Sequence, residues 1–263
     1  MIDKKFILDH LRLLDDVLLV LVFDENIPAV ELVLQILLQE QDLTVTCVET
    51  QKERRNLYGH SVRMDILARD AAGRQFDLEA QREKEKWLPQ RLRYYSSMTD
   101  TRLLKSGTNY GDLPDSYTIF IMENDIGKRG QPFYCFKRWD GTREMEDGSY
   151  LFYVNGEYEG DDPIGRLMHD FRCTRAEDMY YPVLAERVKY LKESEEGKKF
   201  MGSVFDQWKE EVAREAEQKA IEKNSREIAC RMIARGDRKE EEIAEDVGLP
   251  LEEVRKLSAL MTA

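Results

Sequence analysis

The strongest constraint on this chain is a pair of alternating runs joined by a short turn. In residues 61–68 (SVRMDILA), Val62, Met64, Ile66 and Ala68 share one side, with Arg63, Asp65 and Leu67 opposite. In residues 74–81 (RQFDLEAQ), Phe76, Leu78 and Ala80 point one way and Gln75, Asp77, Glu79 and Gln81 the other. A period of two over this length predicts two strands, and Asp70-Ala71-Ala72-Gly73 between them predicts a tight hairpin, with glycine supplying positive φ. Requiring the two apolar sides to coincide sets Asp70 against Arg74 and Asp65 against Glu79. A slip of one residue would pair Asp65 with Ala80 and scramble both faces.

The expected register makes Asp65 and Glu79 cross-strand neighbours, roughly 5 Å apart at Cβ. Two anions so placed repel and weaken a sheet unless something offsets them. A divalent cation would do so: Mg²⁺ accepts one or two carboxylates, keeps several waters and takes its remaining ligands from phosphate. That is the chemistry of phosphodiester hydrolysis. The spacing is equally satisfied by a solvated strand face with Arg63 or Arg74 as counter-ion, so both readings stand at this point.

Around the hairpin, residues 6–23 and 27–40 read as amphipathic helices, the second capped by Asn26 with Pro28 in its first turn. Residues 43–48 alternate as a strand, followed by a polar stretch through Gly59. A helix is expected from about Glu85 to Lys105, then a central strand at residues 116–122 (SYTIFIM). Strands at 132–138 and 150–154 are expected on a sheet edge, and helices resume near Pro163 with a break at Tyr181-Pro182. This order predicts an α/β core of helix, three strands, helix and strand, with a helical C-terminal extension. The expected divisions are a core at 1–185, a helical arm at 186–224, and a small helical tail at 225–263.

Composition excludes some functions. The net charge of −12 disfavours a protein that coats nucleic acid non-specifically, because phosphate affinity comes mainly from Lys and Arg. Cys47, Cys135, Cys173 and Cys230 are widely separated, and with His10, His60 and His169 they build neither a zinc ribbon nor a finger by spacing. Free thiols in a reducing cytoplasm are the expectation. The apolar run at 17–23 is far short of a membrane span, and no secretory signal opens the chain.

The segments ENIPAVELVLQILL, GHSVRMDILARDAAGRQFDLEAQRE, RLRYYSSM, LPDSYTIFIMENDI and DDPIGRLMHDFRCTRAEDMYY together resemble the PD-(D/E)XK nuclease family transposases, relatives of the Rpn-type recombination-promoting nucleases. The resemblance implies a restriction-endonuclease-like core and a Mg²⁺-dependent endonuclease, with Mn²⁺ as a substitute, acting on DNA in transposition or recombination. RNA stays open as a substrate. It implies that Asp65 and Glu79 are metal ligands and that Gln81 stands where the superfamily usually has lysine. An amide supplies only a dipole where lysine supplies a charge, so weaker or conditional activity follows. Glu31, on the second helix, is the further candidate ligand, since many superfamily members use a helical acid near this point. Asp77 is expected to be solvated.

Residues 82–105 hold the most basic local balance in an acidic chain. Within them Arg91 and Tyr95 share a helix face, so Arg91, Tyr94 and Tyr95, with Arg63, are the candidate nucleic-acid contacts. The alternative for the tyrosines is core packing. Residues 186–263 are near charge balance and read as a solvated arm, which offers a surface for self-association. The rhythm of residues 243–257 is helix-turn-helix-like, but Glu252 and Glu253 occupy the start of the second helix, which suits a protein contact better than base readout. A second functional class, a catalytically silent nuclease-fold protein that binds nucleic acid or a partner, is separable by substituting Asp65 and Glu79.

Overall fold

The computed structural model describes residues 4–54, 62–82, 88–104, 107–236 and 238–262. The chain divides into two compact units, Met1–Gly202 and Ser203–Ala263.

The first unit is built on a six-stranded mixed sheet in the order β1-β2-β3-β4-β6-β5. β1 (Val45–Arg54) runs antiparallel to β2 (Val62–Asp70), which forms the hairpin with β3 (Gln75–Gln81). β4 (Ser116–Met122) lies parallel to β3, and β6 (Ser149–Asn155) parallel to β4, with β5 (Phe133–Phe136) antiparallel at the edge. The mixed sheet flanked by helices fits the expected α/β class.

The hairpin takes the expected register. Arg69 pairs with Gln75 and Ile66 with Leu78, and Asp70 N–H donates to the Arg74 carbonyl. The turn is locked by charge: Arg74 donates from Nε to Asp70 Oδ2 at 2.6 Å and from Nη2 to Glu40 Oε2 at 2.7 Å. Gly73 supplies the positive φ, 87°, that closes the turn. Arg74 is thereby committed to Asp70 and Glu40, so it does not serve the Asp65–Glu79 pair as counter-ion.

Several expectations are corrected. Residues 6–23 form two helices, α1 (Lys4–Asp9) and α2 (Asp16–Phe23). Between them Arg12 N–H donates to Asp15 Oδ2 at 2.7 Å, a local bond that competes with helical continuation. Every residue of Val17–Phe23 is buried, so α2 is a core helix, apolar all round. α3 (Ile27–Leu38) is capped as expected, with Asn26 Oδ1 accepting from Ala29 N–H. β1 continues beyond residue 48 to Arg54, because its partner β2 satisfies the backbone of a polar segment on one side. Of the two strands expected at an edge, β6 is interior and β5 takes an edge. The residues from 55 to 61, including the expected start of a strand at Ser61, lie outside the described set.

α4 (Leu88–Leu103) packs on the sheet face that carries Phe120 and Tyr153, with Leu88, Leu92, Tyr95 and Met98 in one buried cluster. The expected helix ends near 85 and 105 lie outside the described residues. α5 (Pro163–Arg172) and α6 (Pro182–Glu193) follow, each with proline in its first turn. α7 (Glu195–Arg235) is 41 residues long, and the boundary between the units falls inside it.

In the second unit, α8 (Glu240–Val247) and α9 (Leu251–Thr262) meet around Gly248 in the left-handed conformation. Ala229, Ile243, Ala244, Leu249 and Val254 form its small core.

Candidate metal and active site

β3 and β4 are buried on both sides, so the polar side of β3 enters a covered cleft rather than solvent. Asp77 is 0% exposed and Glu79 2% exposed. The expectation that Asp77 is solvated fails because α4 covers that face.

The paired register of β2 and β3 ends at Ile66–Leu78, and just beyond it Asp65 and Glu79 meet through side-chain bonds rather than a backbone ladder. There each carboxylate bonds a backbone N–H of the other strand. Glu79 Oε1 accepts from Asp65 N–H at 2.8 Å, and Asp65 Oδ2 accepts from Ala80 N–H at 3.3 Å. This reciprocal latch fixes both acids and leaves Asp65 Oδ1 without a hydrogen bond among the described residues. Glu79 Oε2 faces the Arg91 guanidinium at 3.8 Å, beyond hydrogen-bond length.

Burial and crowding act together on both acids. Asp65 is pushed up to about 7 by burial first and then by the nearby Asp16 charge, against the pull of Arg91 and Arg63. Glu79 is held well above the usual carboxylate range by burial, then by Asp65 and Asp77. Asp16, the first residue of α2, is itself raised by burial and by Asp15. It is the functional candidate that sequence reasoning missed. Glu31, the helical acid singled out instead, has its carboxylate accepting from Val45 N–H at 2.8 Å, where it supports the first residue of β1.

Arg91 organises the open side of the cleft. Its guanidinium lies 5.1 Å from the Tyr95 ring centre and 5.5 Å from that of Phe120, and Nη2 donates to the Tyr95 hydroxyl at 3.2 Å. Nη1 donates to Gln81 Oε1, which brings the third sequence-predicted site residue into the same group. Arg63 donates from Nη2 to Gln51 Oε1 and adds positive charge near Asp65. Tyr95 is only 8% exposed and stands edge-on to Phe120 at 5.5 Å, and Tyr94 packs half-buried against the same cluster. The Tyr95 ring is therefore core and supports Arg91, rather than offering a face to a base.

Among the described residues the donor set consists of carboxylate oxygens, with neither thiolate nor imidazole, which suits a hard divalent cation of the Mg²⁺ or Mn²⁺ kind. Two adjacent acids, one half-buried and one buried, that resist ionising together fit a positive group better than they fit each other.

Two acids on adjacent strands of a mixed sheet, covered by helices and with an amide two residues beyond the second, fit the arrangement of a PD-(D/E)XK nuclease. Residues 24–138 match the model of the PD-(D/E)XK nuclease family transposases, which bears out over that stretch the resemblance read from the sequence. Nucleases of this kind generally use divalent metal ions and act on nucleic acid. No curated protein and no solved structure matches the chain. Among the described residues, no helix is long and apolar enough to cross a membrane.

Proposed function

We propose that this chain is a divalent-metal-dependent endonuclease that hydrolyses DNA phosphodiester bonds in transposition or recombination. The observation that carries the reading is the latched pair of half-buried Asp65 and buried Glu79, with unfavourable ionisation on both acids and Arg91 beside Glu79. Asp65 and Glu79 would hold the cation, with Asp16 as the third carboxylate in reach of their field. When bound, a divalent ion activates water for attack on phosphorus and offsets charge on the phosphate oxygens.

The chain's own groups prepare that event. Backbone N–H groups of Asp65 and Ala80 hold the two carboxylates in place, so no reorganisation is needed when a phosphate arrives. Arg91 supplies the positive charge that glutamine at position 81 lacks. It also holds the Gln81 amide beside the acids by donating to its Oε1. α4 excludes solvent from Glu79 and so strengthens each of these interactions.

The test is cleavage of supercoiled and linear DNA by the full chain with Mg²⁺ or Mn²⁺, with RNA as a parallel substrate. Cleavage is expected to require the cation, to stop with chelator, and to fall more than about a hundredfold in Asp65→Asn and Glu79→Gln while far-UV circular dichroism is unchanged. Cleavage that persists in either variant would remove these acids from the reaction.

A further inference from the structure

Among the described residues, the C-terminal end of α5 gathers an imidazole, a carboxylate and a thiol: His169, Asp170 and Cys173, with donor atoms within 4.8 Å of one another. None of them belongs to the Asp65–Glu79 cleft. We propose that these three residues form a second metal site, for a borderline-soft divalent ion of the zinc class, with one coordination position open to water.

Two of the three separations match a metal centre, and the third lies within 4.8 Å. With Zn–N and Zn–O near 2.0 Å and Zn–S near 2.3 Å, a tetrahedral centre has N···S edges of about 3.5 Å and N···O edges of about 3.3 Å. His169 Nδ1 lies 3.5 Å from Cys173 Sγ and 3.4 Å from Asp170 Oδ1. Cys173 Sγ donates to the Asp178 carbonyl across a long 3.8 Å, and His169 Nδ1 lies between two groups that it cannot serve at once. Nδ1 carries either a proton or a lone pair, so it serves as donor to Asp170 or as acceptor from Cys173, never both. At 3.4 Å the contact to Asp170 is also long for a nitrogen–oxygen hydrogen bond. A cation between the three groups engages all of them together.

The surroundings are built for a fixed ligand. Asp170 is 0% exposed, and its oxygens accept from Tyr180 N–H at 2.7 Å and Tyr181 N–H at 2.9 Å. Those bonds immobilise the carboxylate as outer contacts do for metal ligands. His169 is partly exposed, which gives an ion an entry path, and its ring meets Tyr180 edge-on at 4.8 Å. An ion here joins the end of α5 to the turn that precedes α6. The donor set contains sulfur and nitrogen, so it selects against the Mg²⁺ suited to the oxygen-only cleft.

The probes are Co²⁺ and Zn²⁺ alone, added to the full tag-free chain under reducing conditions. Co²⁺ is expected to bind with a thiolate-to-metal charge-transfer band and tetrahedral d–d absorption, both displaced by Zn²⁺. Cys173→Ser should abolish the charge-transfer band, and His169→Gln should weaken Co²⁺ binding at least about tenfold. The Asp65→Asn, Glu79→Gln double variant should leave both signals as in the wild type, which separates this site from the proposed nuclease centre. Absence of a charge-transfer band in the wild type overturns the proposal without any variant. So does a band that survives Cys173→Ser, or unchanged affinity in His169→Gln.

Discussion

At Asp65, burial and the neighbouring acid charges raise the proton affinity together, and the sign of the resulting pH dependence is unusual for an aspartate. Its folded value of about 7 lies above its ordinary 3.8, so between these two pH values the folded chain holds a proton that the unfolded chain has lost. Stability without metal is therefore expected to fall as pH rises through that window, the reverse of a salt-bridged carboxylate. Asp65→Asn should raise the thermal midpoint at pH 8 in chelator by about a few degrees, measured by calorimetry. Mg²⁺ or Mn²⁺ should recover stability in the wild type only, and cleavage should rise with pH towards about 7 because loading the site expels protons. Arg91 is expected to matter chemically: Arg91→Met should lower kcat by about a hundredfold with a smaller change in KM, checked by steady-state cleavage kinetics. At this scale the sequence was partly legible. That Asp65 and Glu79 share one face follows from alternation and turn length, but spacing left a solvated face equally open, and their candidacy as ligands came from the family resemblance. The proximity of Asp16 depends on where α2 packs, and no spacing within residues 12–23 encodes that. Glu31 has the right residue type on the right kind of element, but its carboxylate bonds β1.

Among elements, short-range chemistry was easier to read than tertiary partnership. The Asn26 cap, the prolines opening α3, α5 and α6, and the hairpin turn are local signals, and each is realised. The interior position of β6 was hidden, because a short strand whose first half is only partly buried looks like an edge until its parallel partner β4 is known. The break between α1 and α2 was hidden for a related reason. Lys192, on α6, donates to the carbonyls of Asp9, Leu11 and Thr174, and so ends the chain's helical course with a distant cation. Its ammonium is pulled down to about 8 by burial, the cost of serving three carbonyls away from water. Lys192→Met should destabilise the chain by about 3 kcal/mol in urea unfolding, since the three acceptors lose their common donor. A loss below about 0.5 kcal/mol would show that water replaces the ammonium at no cost.

Across the whole chain, an overall charge of −12 coexists with Arg63 and Arg91 beside the acids, so the nucleic-acid affinity that the proposed function requires would come from local placement. The two units differ in how their backbone is protected. β3 and β4 lie inside the sheet with both faces covered, whereas most positions of α7 between 209 and 224 are exposed. Hydrogen exchange should reach that middle stretch of α7 by local opening, while β3 and β4 exchange only through global unfolding. Chain order also gives the site a kinetic character. The β2–β3 hairpin joins acids fourteen residues apart and can close in about 1–10 μs, but β4 reaches β3 only after the α4 crossover has been laid down. The acids thus meet while still in water, and their repulsion is felt only when the helix shuts over them, late in folding. A cation that relieves that repulsion should accordingly slow the unfolding limb of a stopped-flow chevron and leave the refolding limb where it was. On that account the ion acts as a brake on the escape of a finished molecule rather than as a guide for one still being made.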